Sequence, residues 1–303
     1  MTSAPSGRAA GQEIKPAIVL AAFGTTEPQA LEAIINIKNK VEQAFPDHET
    51  RLAFTSRIIR RVWSRRAADE SFKKDHPGIP TEIYTVKSPL STLALLAEDG
   101  PRPILVQSLH VTDGAEYREL AEVVAQLAGI KASAPARRPF PDLRLGPPAL
   151  GDGGERYLTR AARALKDLVR AAEKAGAVLV LMGHGNEHLH QAVYGQLEQI
   201  LRSEYRPDIF IGLVEGQPGL EEVLAGLDRL PTPPARALLA PLMVVAGDHA
   251  KNDLAGDDDD SWASVFRARG LSVETRLRGL GSDDDWADIY LEHIREALQA
   301  ANK

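Results

Sequence analysis

Two histidines and a glutamate in this chain, His184, Glu215 and His249, each follow a short apolar run: residues 178–182, 209–214 and 240–246. They lie 31 and 34 residues apart, from 184 to 215 and from 215 to 249, about one strand–helix–strand unit each. If the runs are parallel neighbours, all three side chains emerge at the carboxyl edge of one sheet, where open α/β sheets place their chemistry. Two imidazoles and one carboxylate suit a borderline divalent metal such as cobalt, nickel, iron or zinc.

Each residue also has a plainer reading. His184 lies between Gly183 and Gly185, which would let the chain turn sharply and leave the imidazole open on one side; a lone histidine there is equally a satisfied strand-end residue. His249 sits in Gly247-Asp248-His249-Ala250-Lys251-Asn252-Asp253, where Asp248 or Asp253 can orient the ring by accepting its second N–H. Glu215 is harder to dismiss, because a carboxylate directly after six apolar or small residues calls for a cation or a proton.

The elements that must position these groups alternate regularly. Residues 17–23 read as a buried strand and 28–45 as a helix; 51–55 reads as a strand, followed by a basic helix over 56–74. Residues 82–86 read as strand or extended, 90–98 as helix, 104–109 as a strand ending at His110, and 115–128 as helix. Residues 131–154 carry five prolines and four glycines and read as a linker. The pattern then restarts: helix 155–175, strand 177–182, helix 190–202, strand 209–214, helix 219–230, strand 237–245, helix 260–269, strand 272–277 and helix 285–300. This predicts an α/β fold of two similar lobes, each a parallel sheet flanked by helices, facing across a cleft. The expected division is a disordered leader over 1–14, an N-terminal lobe over 15–140 and a C-terminal lobe with the metal ligands over 141–284. A final helix over 285–303 can pack back on the N-terminal lobe.

A chain of 303 residues at 44% hydrophobic can bury a full core. Its net charge of −6 argues against nucleic-acid binding, and the absence of cysteine excludes disulfides, thiolate zinc sites and cysteine-ligated iron–sulfur clusters. No apolar stretch approaches the ~20 residues that span a bilayer, so no membrane role is expected. Residues 2–16 are small and polar, not an intact signal peptide, which favours the cytoplasm; the periplasm is the alternative if a signal was removed.

Two charged stretches compete for attention. Asp257–Asp260 lack the alternation of a calcium loop and sit where a helix N-terminus favours negative charge. Between residues 51 and 74 eight basic residues face two acidic ones, which is either a solvated helix face or a surface for a polyanion, with Lys87 and Ser88 nearby. The Gly24-Thr25-Thr26 loop lacks the Gly-Lys-Ser/Thr ending of a phosphate loop, and no Gly-x-Ser-x-Gly elbow occurs.

Several segments together resemble the anaerobic sirohydrochlorin cobaltochelatases, the CbiK-type branch of the class II tetrapyrrole chelatases, related to ferrochelatase. They are Ala22-Phe23-Gly24-Thr25, Val106-Gln107-Ser108-Leu109-His110, Met182-Gly183-His184-Gly185-Asn186, Val214-Glu215-Gly216 and the long run from Pro241 through His249 to Trp262. Leu254 stands where that family leads one to expect Met. The resemblance implies that His184, Glu215 and His249 hold the metal, with His184 also acting as the base and Glu215 counted with it as catalytic. It implies two flavodoxin-like lobes with a tetrapyrrole cleft between them, and insertion of Co2+, or alternatively Fe2+ or Ni2+, into sirohydrochlorin with release of two protons. The tetrapyrrole is expected to meet Phe23, Gly24, Thr25, Ser56, Arg57, Arg60, Lys87, Ser88, Leu109 and His110, its carboxylates falling to the basic residues. Some relatives carry haem on a histidine of the helix after the Leu-His motif; residues 115–128 contain none, so no haem is expected. A homo-oligomer is compatible with such a fold. The rivals are a non-catalytic two-lobed cobalt- or nickel-binding protein and a metal-dependent hydrolase.

Overall fold

Both halves of the chain repeat one topology. The computed structural model describes residues 14–134, 137–185 and 192–300. In the first half the elements run β1 (Ala17–Ala22), α1 (Leu31–Ala44), β2 (Glu49–Phe54), α2 (Arg57–Arg66), α3 (Glu70–Asp75), α4 (Thr81–Tyr84), α5 (Pro89–Glu98), β3 (Pro103–Ser108), α6 (Ala115–Ala128) and β4 (Asp142–Gly146). The second half runs α7 (Glu155–Ala164), α8 (Lys166–Ala175), β5 (Val178–Gly185), α9 (Ala192–Glu204), β6 (Ile209–Glu215), α10 (Leu220–Asp228), β7 (Arg236–Pro241), a π-helical turn (Ala250–Leu254), α11 (Trp262–Ala268), β8 (Ser272–Thr275), a short 3-10 turn (Leu280–Ser282) and α12 (Asp284–Ala300). The sheets are parallel, ordered β2-β1-β3-β4 and β6-β5-β7-β8. In each, the connections from the first strand depart to opposite sides, so a crevice opens at its carboxyl end beside the third strand.

Strands covered on both faces are mostly apolar, Gln107 and Ser108 at the end of β3 being buried exceptions, and alternate side chains enter different cores. Ile18, Leu20 and Ala22 of β1 join Leu179 and Leu181 of β5 in a central core shared by the two sheets. Ala17, Val19 and Ala21 enter the outer core of the first sheet, and Val178, Val180 and Met182 that of the second. Trp286 and Tyr290 of α12 fill the central core, and α12 packs against α1, α7, β3 and β4. The Tyr290 hydroxyl lies 3.3 Å from the carbonyl oxygens of both Leu109 and His110, and Arg144 of β4 donates to Ala297 O at 3.0 Å.

Several expectations need correction. The supposed linker contains β4, which pairs in register with β3, so a division after residue 140 severs one strand from its sheet. The basic helix is two helices, because Asp69 caps α3 by accepting from Phe72 N–H at 3.0 Å. Residues 82–86 hold the end of the one-turn helix α4 rather than a strand, and the helix over 155–175 breaks at Leu165. The strand expected to reach Val245 stops at Pro241, and that over 272–277 stops at Thr275. The leader over 1–13, Asn186 and the expected helix start at 190–191 lie outside the described residues. Among the described residues no helix is long and apolar enough to cross a membrane.

Candidate metal centre

His184 and Glu215 reach the same edge because their strands are adjacent, with Gly185 opposite Glu215 in the β5–β6 register. Gly185 has φ +78°, a conformation that side chains oppose, and the glycine permits the tight turn just past His184. His249 arrives by a longer route. After Pro241 the chain crosses the end of β5, Leu242 N–H donating to Met182 O at 2.7 Å, and His249 then caps the π-helical turn. Single π turns inside helical segments are often found at functional sites.

The two imidazoles meet edge to face, with ring centroids 4.8 Å apart and planes at 88°. His184 Nδ1 stands 4.0 Å from Glu215 Oε2, and one ligand atom from each of the three residues lies within 4.8 Å of the others. Neighbouring ligand atoms around an ion with bonds of about 2.1 Å stand roughly 3.0–3.4 Å apart, so side-chain movements of about an ångström close the set.

The neighbours assign the ring tautomers. His184 Nδ1 is 3.1 Å from Gly185 O; a carbonyl only accepts, so Nδ1 donates there and Nε2 is the nitrogen left to face an ion. His249 Nδ1 is 2.6 Å from Asp253 Oδ2, which leaves its Nε2 free in the same way. Of the two aspartates able to orient His249, Asp253 does so, while Asp248 accepts from Asn252 Nδ2 at 3.0 Å.

The centre borders a cavity of about 410 Å3 between the lobes. Phe23, Gly24, Thr25, Leu109 and His110 line it from the N-terminal lobe, His184, His249 and the segment after β7 from the other. Trp63 on α2, fully buried, holds the first wall by donating from Nε1 to Thr25 O at 2.7 Å. His110 is pinned by Ser108, whose Oγ is 2.9 Å from Nδ1 and accepts from the His110 backbone N–H at 3.2 Å. Burial lowers the His110 pKa to about 4, so at neutral pH its ring is uncharged. Beside the ligands, Lys251 pairs with Glu27 and joins the lobes across the cleft.

The remaining candidates lie elsewhere. Ser56, Arg57, Arg60, Lys87 and Ser88 are not among the cavity-lining residues. Arg60 donates to the carbonyls of Phe54 and Thr55 and so closes the end of β2. Ser56 and Ser88 cap α2 and α5, and the Lys87 carbonyl accepts from Phe54 N–H at 2.9 Å. Arg57 is exposed and has no ion-pair partner among the described residues. Sequence reasoning missed Thr112, Glu116 and Tyr194, which line the cavity from the loop before α6, from α6 and from α9; no spacing or motif singles them out.

Comparison with known proteins places the chain in a family. A family described as cobalt chelatase (CbiK) matches residues 16–299. The sirohydrochlorin cobaltochelatase of Salmonella typhimurium is 32% identical over 292 residues, covering 95% of this chain and 98% of the relative. The sirohydrochlorin cobaltochelatase CbiKC of Nitratidesulfovibrio vulgaris is 32% identical over 287 residues, covering 94% and 92%. Among solved structures, SirB from Bacillus subtilis with Fe3+ superposes with a TM-score of 0.56 at 12% identity, covering 93% of this chain and 95% of that one. CbiX, described as the terminal enzyme for siroheme biosynthesis in denitrifying bacteria, gives 0.54 at 17% identity, covering 93% and 99%. At such identities the structural likeness speaks for the fold alone.

Proposed function

The chain belongs to the cobalt chelatase (CbiK) family, and on that premise we propose that it inserts Co2+ into sirohydrochlorin, releasing two protons, as a step toward a cobalt-containing corrin. The observation that carries the site assignment is the convergence of His184, Glu215 and His249 beside a cavity enclosed by both lobes. In this reading the metal is a substrate. Three protein ligands hold it while leaving positions for the incoming ring nitrogens; as those nitrogens take the ion the bond from His184 Nε2 breaks, and the freed lone pair accepts one pyrrolic proton while the other passes to solvent. An uncharged imidazole suits that task near neutral pH.

The polycarboxylate tetrapyrrole is assigned to the cavity wall of Phe23, Gly24, Thr25, Leu109 and His110. Arg57 and Lys87 are proposed as outer carboxylate anchors, whereas Arg60 acts by holding the end of β2. Co2+ is proposed over Fe2+ and Ni2+ on the strength of the family.

The test is anaerobic incubation of the protein with sirohydrochlorin and each metal, followed by the tetrapyrrole absorption. Many equivalents of product per protein, fastest with Co2+ and lost in His184→Ala without loss of fold, are expected. A spectral change that stops at one equivalent would instead mean a metal-binding protein without turnover.

A further inference from the structure

Tyr194 stands directly behind His184 and is 2% exposed. Its ring packs against Gly183, the residue before the histidine: a Cβ added there would lie 3.0 Å from the ring edge and 2.9 Å from Leu213. Its hydroxyl faces the backbone of Gly185 and the side chain of Thr112, close enough to interact with both. The Gly185 carbonyl in turn takes the His184 Nδ1 proton.

This arrangement matters because of the flanking glycines. Gly183 and Gly185 allow the close approach of β5 to β6, yet glycine contributes no side chain to stiffen the turn that carries His184. The rigidity has to come from outside, and Tyr194 is placed to supply it on both sides. The same hydroxyl reaches Thr112, which follows β3 in the other lobe and lies two residues beyond His110 on the opposite wall. One buried phenol thus ties a metal ligand to the surface against which the tetrapyrrole is proposed to lie.

We propose that Tyr194 is a positioning residue for metal insertion: through Gly185 it sets the orientation of the His184 imidazole, and through Thr112 it sets the distance of that imidazole from the N-terminal wall. The inference rests on the chelatase reading of the site for its kinetic consequence, but not for its effect on the ligand. Burial raises the phenol pKa to about 12, so it remains a protonated hydrogen-bonding group throughout the working range.

Tyr194→Phe deletes the hydroxyl and keeps the ring. Loss of such a supporting partner typically costs about 10- to 100-fold in metal affinity or activity. We expect a fall of that size in kcat, a KM for sirohydrochlorin within about twofold of wild type, and little change in thermal midpoint. With Co2+ alone, the ligand-field absorption of the cobalt-loaded protein should shift or weaken. Thr112→Val should lower kcat while sparing that cobalt spectrum, and Thr112→Ser should restore the rate. These Thr112 variants carry the test even if Tyr194→Phe does not fold. Unchanged kcat and cobalt spectrum in Tyr194→Phe, or a loss confined to stability, would overturn the proposal. Wild-type protein that binds Co2+ without inserting it would refute the chelatase reading, while an altered cobalt spectrum in Tyr194→Phe would still support the positioning of His184.

Discussion

Gly185 and Glu215 stand so close across the β5–β6 pair that a Cβ on Gly185 would lie 1.8 Å from the carbonyl oxygen of Glu215. Any side chain there must push the two ligand-bearing strand ends apart, and it must also accept a positive φ, which costs roughly 1–2 kcal/mol by itself. Gly185→Ala should therefore weaken Co2+ binding by at least about tenfold and lower the thermal midpoint. A titration indistinguishable from wild type would mean that the strand ends are free to separate.

Asp253 holds the Nδ1 proton of His249, leaving Nε2 to the ion. Asp253→Ala removes no ligand but frees the ring to rotate and exchange tautomers. Calorimetric titration should show affinity for Co2+ reduced about 10- to 100-fold. Equal affinity would show that the π-helical turn alone orients the ring.

Trp63 connects the arginine-rich helix to the cavity wall through one buried hydrogen bond to Thr25 O. In Trp63→Phe that carbonyl loses its donor while much of the aromatic packing remains. The expected cost is about 1–3 kcal/mol in unfolding free energy, read by urea denaturation. The KM for the tetrapyrrole should rise as well, since Thr25 lines the cavity. A stability loss with unchanged KM would remove Thr25 from the binding surface.

Acid should destabilise the fold through two histidines. Burial lowers the pKa of His110 to about 4; burial, with Arg160 next, does the same for His293. In the unfolded chain both titrate near 6.5. Between these values the unfolded state binds more protons, so stability is complete above pH 6.5 and drains as pH falls toward 4. The slope is at most about 1.4 kcal/mol per pH unit for each histidine. Urea titrations at pH 7, 6 and 5 should show this decline, and His293→Leu should flatten it. Equal slopes in the two proteins would contradict the assignment.

What the sequence disclosed depended on how local the signal was. β5, β6 and β7 were legible because apolar runs end directly at His184, Glu215 and the loop to His249, and a buried parallel strand has few polar residues to interrupt it. β4 was not legible: Leu143 and Leu145 are too few to outweigh the surrounding prolines, and only the pairing with β3 makes them a strand. The division of the basic helix was available in Asp69 three residues before Phe72, but the run of arginines masked it. Arg60 shows the limit for side chains, since nothing in its spacing distinguishes an anchor for substrate from a clamp on two carbonyls. Tyr194 and Thr112 lie 82 positions apart in the chain, and no pattern along it marks them as partners.

The helix α12 brings Tyr290 to the carbonyls of Leu109 and His110 and, through Ala297, a partner to Arg144 on the edge of the first sheet. On the ribosome the N-terminal lobe is therefore translated early but stays unbraced, because its missing buttress is encoded last among the elements. A nascent chain halted after β8 would hold the strands of both sheets and every metal ligand, yet would leave the wall at Leu109 and His110 unfastened. Fastening of that wall thus waits for α12, while the three ligands of the centre are already in the chain.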